Sequence, residues 1–156
     1  MEKKTVAIGV DHGGLLLKSG LIEQLGALGY SVRDLGAFGP ASVDYPDYAY
    51  KVAETLRVGA ADIGLVVCGT GIGMSIAMNR YPWIRAGVVH DVTSARLSRE
   101  HNDANVLALG ARMTGAELAK ECLTVFLQTE FGEGRHARRV CKLTEPPNLG
   151  DASNAA

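Results

Sequence analysis

The amino-acid sequence predicts one doubly wound α/β domain, in which a Rossmann-like parallel sheet lies between two layers of helices. The chain has 156 residues, which is the size of a single domain. Short apolar runs alternate with segments of helical periodicity, and this alternation is typical of a parallel sheet covered on both faces. No internal repeat or linker interrupts it. We therefore assign residues 1–144 to the domain and residues 145–156 to a polar C-terminal tail.

The predicted strands are apolar runs with the length of buried strands. They are Thr5–Val10, Ser31–Asp34, Ile63–Val67, Arg85–Val89 and Val106–Leu109. Leucines recur at helical spacing from Leu17 to Leu28 and predict the first helix. The further helices of the core are predicted at Ala49–Leu56, Ile72–Asn79, Thr93–Glu100 and Ala116–Gln128.

The C-terminal region departs from the alternation. Gly132-Glu133-Gly134 breaks the chain, and Arg135–Leu143 then predicts an extra helix. Glu145-Pro146-Pro147 ends that helix. We expect the small polar tail after it to be mobile or to form an arm on a partner.

Composition restricts the class of partner. The formal net charge of −1 gives no general attraction to nucleic acid or to anionic membranes. No apolar run is long enough to span a membrane, and the run after Lys4 ends at Asp11, too soon for a signal peptide. Cys68, Cys122 and Cys141 form no CxxC pair, as expected of free thiols in a reducing compartment. We expect a cytoplasmic protein that binds neither nucleic acid nor membrane.

The residues that directly follow the strands are the candidate site, because ligands of doubly wound sheets bind at the carboxyl ends of the strands. Asp11-His12 follows the first strand and Arg112 follows the fifth. The third strand runs into Cys68 and a loop with three glycines, which are Gly69, Gly71 and Gly73. Asp11 could instead simply cap a helix.

The glycine loop lacks the marks of several known phosphate sites. It has neither the third glycine of a dinucleotide fingerprint nor the lysine of a P-loop. Where a cysteine phosphatase carries arginine, six residues after Cys68, this chain has Met74. The remaining pattern, a strand, a glycine turn and a helix, is a candidate oxyanion site, with a purely structural turn as the alternative.

Cys68 is the cysteine that we assign to chemistry. A thiol at a helix N-terminus ionises more readily than a free thiol, so Cys68 can act as a nucleophile or a proton acceptor. Cys122 and Cys141 are interpreted as small buried apolar residues. The histidines lie far apart in the chain without the spacing of a zinc site, so we expect no metal.

Arginines near the C-terminus predict a bound phosphate. Arg135 and Arg139 are four residues apart, so on a helix they share a face and can close on one anion. His136 adds a donor, and Arg112 would be a third cation if it lies at the same edge. The alternative is a solvated basic turn. Arginines opposite a glycine turn favour a phosphorylated small molecule as the ligand.

Taken together, five segments resemble the ribose-5-phosphate isomerase B family, over a region from about Lys4 to Thr144. These segments are 11–14 (DHGG), 44–46 (DYP), 68–73 (CGTGIG), 96–106 (RLSREHNDANV) and 134–140 (GRHARRV). The resemblance extends to galactose-6-phosphate isomerase subunits and allose-6-phosphate isomerase. It therefore implies an aldose–ketose isomerase of phosphorylated sugars, with ribose 5-phosphate favoured and the exact sugar open.

The resemblance also implies a mechanism through an enediolate, without metal or organic cofactor. Cys68 would be the base that moves a proton between C2 and C1, and His101 would open the sugar ring as acid. Asp11 and Asn102 would orient hydroxyl groups. The backbone amides of the loop, with Thr70 beside them, would hold the enediolate oxygen. The remaining implied contacts are phosphate for His12, Arg112, Arg135 and Arg139, and the sugar for Tyr45.

A homodimer, or a dimer of dimers, with a shared active site is implied as well. In it the His101-Asn102 segment reaches the Cys68 loop of the neighbouring chain. The apolar contacts between subunits are predicted to come from Leu97, Val125, Phe126 and Phe131. Two other classes stay open at this stage: a cysteine-nucleophile hydrolase or phosphatase, and a non-catalytic sugar-phosphate sensor or subunit.

Overall fold

The sheet at the centre of the chain is entirely parallel within residues 3–148, the part described by the computed structural model. Its strands are β1 Thr5–Val10, β2 Ser31–Asp34, β3 Ile63–Cys68, β4 Ala86–Val88 and β5 Val106–Gly110. They lie in the order β2-β1-β3-β5-β4. The predicted doubly wound fold is confirmed. Residues 149–156 of the predicted tail lie outside the described residues.

Every helix predicted from the sequence is present. The helices are α1 Leu15–Ala27, α2 Tyr45–Arg57, α3 Ile72–Met78, α4 Val92–Asn102, α5 Ala116–Gln128 and the extra α6 Arg135–Thr144. The largest difference is at α2, which begins at Tyr45 instead of Ala49. Pro46 lies in its first turn, where a missing N–H costs no intrahelical hydrogen bond.

Two apolar cores cover the two faces of the sheet. Because successive side chains of a strand point to opposite faces, Ile8 of β1 packs with α1, α4 and α5, whereas its neighbour Ala7 packs with α2 and α3. Phe126 is 1% exposed within the first core. The prediction that Phe126 contacts a second subunit is therefore wrong, since its ring is already buried within its own chain.

The cysteines differ in burial. Cys122 is buried on α5 as predicted, and desolvation, with smaller contributions from the carboxylates of Asp91 and Glu121, raises the pKa of its thiol. Cys141 is exposed on α6, so its predicted burial is wrong. That helix buries only Val140 among its residues and leaves most of its surface to solvent. Cys68 is buried at the end of β3.

The two edges of the sheet carry different functional residues. Cys68 is paired with Gly110 at the carboxyl edge, and Gly64 is paired with Val106 at the amino edge. At about 3.3 Å per residue, the four steps from Gly64 to Cys68 separate the two edges by roughly 13 Å. Because α4 runs back across the sheet, its last residues lie at the amino edge. No helix within residues 3–148 has both the length and the apolar character needed to cross a bilayer.

Candidate active site

Cys68 has the surroundings of a proton acceptor. Its side chain is almost fully buried, and its Sγ accepts a hydrogen bond from the backbone N–H of Gly71 at 3.1 Å. Gly71 has a φ of +80°, in the left-handed region that glycine enters without steric cost. This turn directs the N–H back at the sulfur. A hydrogen bond of this kind stabilises negative charge on the acceptor.

The glycine loop is held by close backbone approach to two neighbouring turns. The N–H of Arg112 donates to the carbonyl oxygen of Gly69 at 2.9 Å. A Cβ atom added to Gly110 would lie 2.5 Å from the carbonyl carbon of Thr70. One added to Gly13 would lie 3.2 Å from the backbone nitrogen of Gly69. The turns after β1, β3 and β5 therefore meet with almost no side-chain volume between them.

Asp11 and His12 follow β1 and make different contacts. Asp11 is buried, and its Oδ1 accepts a hydrogen bond from the N–H of Gly14 at 3.0 Å, so it does cap the short 3₁₀ turn at His12–Gly14. His12 is exposed, and its Nδ1 accepts from the N–H of Val43 at 3.2 Å. An imidazole that accepts at Nδ1 carries its proton on Nε2. His12 therefore presents an N–H donor to solvent at the carboxyl edge.

Two further predicted residues lie against the glycine loop. The Arg112 side chain runs over Gly69, where an added Cβ would lie 3.4 Å from its Nε. The Tyr45 ring covers Gly73, where an added Cβ would lie 2.6 Å from its Cζ. The hydroxyl oxygen of Thr70 accepts from the N–H of Ile72 at 3.3 Å and keeps its own proton for another partner.

Lys18 holds the start of the loop between β2 and α2, and sequence reasoning did not identify it. Its ammonium donates to the carbonyl oxygen of Ala37 at 2.7 Å and pairs with Asp34 at 2.8 Å. The side chain is 10% exposed. A lysine within the apolar first turns of α1 was the available signal, because a buried charge needs a partner.

The other predicted residues form a second cluster around His101. The His101 ring stacks on His136, with centroids 4.3 Å apart and planes 9° apart. Desolvation, and then the positive charges of His101, Arg135 and Arg139, lower the pKa of His136. Asn102 is exposed as the last residue of α4. The cluster thus combines two imidazoles with two guanidinium groups.

The predicted site residues therefore fall into two clusters. The Cys68 cluster lies at the carboxyl edge and consists of Asp11, His12, Tyr45, Cys68, Gly69, Thr70, Gly71, Gly73 and Arg112. The His101 cluster lies at the amino edge and consists of His101, Asn102, Arg135, His136 and Arg139. The expectation that Arg112 shares an edge with the arginine pair does not hold within one chain. The start of α6 is fixed beside α4 by a hydrogen bond from Gly132 N–H to the Glu100 carbonyl oxygen at 2.8 Å.

Neither cluster resembles a metal centre. Among residues 3–148, no three His, Cys, Asp or Glu side chains are grouped so that they could hold an ion. What the arrangement offers is a buried thiol beside backbone amides and, on a separate surface, a concentration of cationic groups. The first suits proton transfer next to a carbonyl, and the second suits a dianionic phosphate.

Proteins similar to this chain carry several related names. The family model described as Ribose/Galactose Isomerase matches residues 6–143. The solved ribose-5-phosphate isomerase B of Clostridium thermocellum is 51% identical, with a TM-score of 0.88 over 90% of this chain and 95% of that one. Ribose-5-phosphate isomerase B of Escherichia coli is 44% identical over 90% of this chain and 95% of its own length. A D-erythrulose-4-phosphate isomerase of Pectobacterium atrosepticum is 40% identical over 89% and 92%.

Proposed function

This chain belongs to the Ribose/Galactose Isomerase family and is an aldose–ketose isomerase of sugar phosphates, and from this premise we propose that it converts ribose 5-phosphate to ribulose 5-phosphate with Cys68 as base. Two relatives at 44% and 51% identity carry the ribose 5-phosphate name and support this substrate. The relative named for D-erythrulose 4-phosphate, at 40%, marks the main alternative within the same chemistry.

The contact between Cys68 and Gly71 is the observation that carries the proposed mechanism. A thiolate stabilised by the Gly71 N–H takes the proton from C2 and returns it to C1, while the hydroxyl proton passes from O2 to O1 at the enediolate stage, so the isomerisation balances without a redox partner. Gly71 was expected to hold the enediolate oxygen, but its N–H is directed at the sulfur. That oxygen is therefore assigned to the amides of Gly69 and Gly73 and to the Thr70 hydroxyl, whose proton is free to donate.

A second copy of the chain supplies the rest of the proposed site. His101 and the Cys68 pocket of its own chain lie at opposite edges, so His101 can act on a sugar bound at Cys68 only across a subunit boundary. In this arrangement His101 opens the ring as acid, and Asn102 and Asp11 orient hydroxyl groups. The phosphate lies between His12 and Arg112 of one chain and Arg135 and Arg139 of the other.

Apolar side chains next to the Cys68 cluster give the second copy a surface to cover. Ile72, Ile76 and Met113 are 52%, 59% and 58% exposed. Ile72 and Ile76 are one helical turn apart on α3 and share a face, while Met113 directly follows Arg112. Covering them removes apolar area from water, which favours association. We assign the interface to these residues in place of Phe126.

A substrate panel tests the proposed function. Initial rates would be measured with the aldose phosphates ribose 5-phosphate, allose 6-phosphate, galactose 6-phosphate and erythrose 4-phosphate. A change of one carbon alters transition-state binding by ~1–3 kcal/mol, so we expect ribose 5-phosphate to have the highest kcat/KM, by about 10–200-fold. Cys68→Ala should lower kcat by at least about 10²-fold with every member of the panel. A higher kcat/KM with any other sugar would transfer the assignment to that sugar.

A further inference from the structure

The residue that follows Asn102 has an unusual backbone conformation. Asp103 ends α4 with φ and ψ both at 45°, the left-handed region that non-glycine residues seldom adopt. Its N–H donates to the carbonyl oxygen of Arg99 at 3.0 Å and completes the end of the helix. Glycine is the usual residue at such a helix end because it enters this conformation at least cost. The aspartate side chain therefore calls for a separate explanation.

The Asp103 carboxylate bridges two arginines from different elements. Its Oδ2 accepts from Arg85 Nη2 at 3.0 Å, and its Oδ1 accepts from Arg99 Nη1 at 2.8 Å. The Arg85 Nε also donates to the Asp103 carbonyl oxygen at 2.7 Å, and Arg99 Nη1 to the Ala104 carbonyl oxygen at 2.6 Å. The three side chains are 20–32% exposed, so water screens these pairs only in part. We call Asp103, Arg85 and Arg99 the Asp103 clamp.

The Asp103 clamp connects the segments that carry the His101 cluster. Arg85 directly precedes β4, and Arg99 lies one helical turn before Asp103. Arg99 Nε also donates to the carbonyl oxygen of Thr129 at 3.4 Å, in the segment that leads to α6. The end of α4, the start of β4 and the approach to α6 are therefore tied to one carboxylate.

We propose that Asp103 is a positioning residue that sets where His101 and Asn102 are presented to the Cys68 pocket of a second copy. This inference rests on the shared site of the proposed function. Asp103 itself touches no substrate. Its carboxylate holds the two residues before it against the start of β4 and, through Arg99, against the end of α5, so that His101 is presented in one position.

Two substitutions separate the carboxylate from the backbone conformation. Asp103→Gly keeps the left-handed turn and removes the two contacts between the carboxylate and the arginines, while Asp103→Asn keeps the shape and removes the charge. Because small displacements of reacting groups can cost ~10²-fold, we expect Asp103→Gly to lower kcat by roughly 10–100-fold. The kcat of Asp103→Asn should lie between those of Asp103→Gly and the wild type. In both variants KM should change less than kcat. The matched control is Glu54→Gln, which breaks the carboxylate–arginine pair with Arg57 near the end of α2 and should leave kcat unchanged.

Subunit exchange then shows whether Asp103→Gly impairs the half of the shared site that carries Cys68 or the half that carries His101. Asp103→Gly mixed with Cys68→Ala should recover activity in about a quarter of the sites, because one pocket of the mixed dimer is intact. Asp103→Gly mixed with His101→Ala should recover none, because both lesions affect the same half. Recovery in the second mixture, or an unchanged kcat of Asp103→Gly, would overturn the proposal.

A control mixture keeps this test distinct from the test of the shared site. Cys68→Ala mixed with His101→Ala reports on the shared site alone. If that mixture stays inactive after verified exchange, the shared site fails, and with it the proposed action of Asp103 on a second copy. If that mixture regains activity, the two Asp103→Gly mixtures show whether Asp103 acts on the His101 half of the shared site. Should Asp103→Gly not fold, Asp103→Asn is used in the same mixtures.

Discussion

The Cys68 cluster is made of backbone held at close approach by three turns, whereas the His101 cluster is made of side chains at the ends of two helices. In the first, Cys68 is 4% exposed, and its Sγ accepts a hydrogen bond from an N–H group of the same turn. In the second, the His101 side chain is 38% exposed, and the arginines of α6 are exposed. The difference matches the role that we propose for each cluster.

A base must lie at a fixed distance from one carbon atom of the substrate. A rigid backbone turn with fixed dipoles can hold it there with little reorganisation. A dianionic phosphate tolerates long flexible cations, whose mutual repulsion is relieved when the anion arrives. An exposed cationic surface also remains available to a second copy. We therefore expect substitutions in the Cys68 cluster to lower kcat. Substitutions of Arg135 and Arg139 should instead weaken substrate binding.

The largest effect is expected from removal of the base. Cys68→Ala should lower kcat by roughly 10²–10⁴-fold, the usual contribution of a positioned proton-transfer group. Binding of a substrate analogue, measured by calorimetry, should remain near the wild-type value because no phosphate contact is lost. Near-normal turnover in this variant would remove Cys68 from the mechanism.

Loss of a phosphate contact should appear in KM. Arg135→Ala and Arg139→Ala each remove a charge-assisted contact worth about 1.5–3 kcal/mol, so we expect KM to rise by about 10–100-fold. The kcat should change much less. Arg33→Ala, an exposed arginine on the edge strand β2, is the control. Equal losses on phosphorylated and unphosphorylated sugars would mean that the two arginines do not bind the phosphate.

A single added methyl group should disturb the close backbone packing of the Cys68 cluster. Gly110→Ala places a Cβ 2.5 Å from the backbone of Thr70, which cannot rotate away as a side chain could. We expect a loss of ~1–3 kcal/mol in the free energy of unfolding, together with a fall in kcat. Gly26→Ala in α1 has no atom within 4 Å of the new Cβ and should be neutral or slightly stabilising. Equal free energies of unfolding for the two variants, measured in urea, would contradict the close approach of Gly110 to Thr70.

The smallest expected effect is the pH dependence of His136. Its pKa is lowered from the ordinary value of 6.5, so the folded chain binds fewer protons at this group than the unfolded chain does between the two values. The stability that neutral His136 contributes is fully present above about pH 6.5 and is lost as the pH falls through its folded pKa. The Tm of the wild type minus that of His136→Gln should therefore decrease on acidification. An increase in this Tm difference on acidification would contradict the expected direction.

The sequence predicted the core elements because burial determines their pattern. β1, β2 and α5 have the predicted bounds. For β1 and α5 the reason is visible, because β1 is a continuous apolar run and the buried residues of α5 recur at helical spacing. The start of α2 was missed because Tyr45 and Pro46 carry no apolar period. Phe126 was assigned to an interface because periodicity does not tell which buried surface a helix faces.

The sequence named candidate site residues but not their arrangement. The motif positions could be read from the sequence, whereas the separation of Arg112 from Arg135 arises because α5, which lies between them in the chain, runs back from the carboxyl edge to the amino edge. The contacts of Lys18 with Ala37 and of Asp103 with Arg85 join residues that are 19 and 18 positions apart in the chain. No local pattern marks such contacts, because they arise only when the elements have packed.

The central claim is that the Cys68 cluster of one chain works with the His101 cluster of another, and subunit exchange tests it most directly. Cys68→Ala and His101→Ala would be purified as inactive proteins, mixed in equal amounts and allowed to exchange, with exchange verified by native mass spectrometry. Random pairing puts half the chains in mixed dimers, each with one intact pocket, so about a quarter of the wild-type activity should return. Verified mixed dimers without activity would contradict the account.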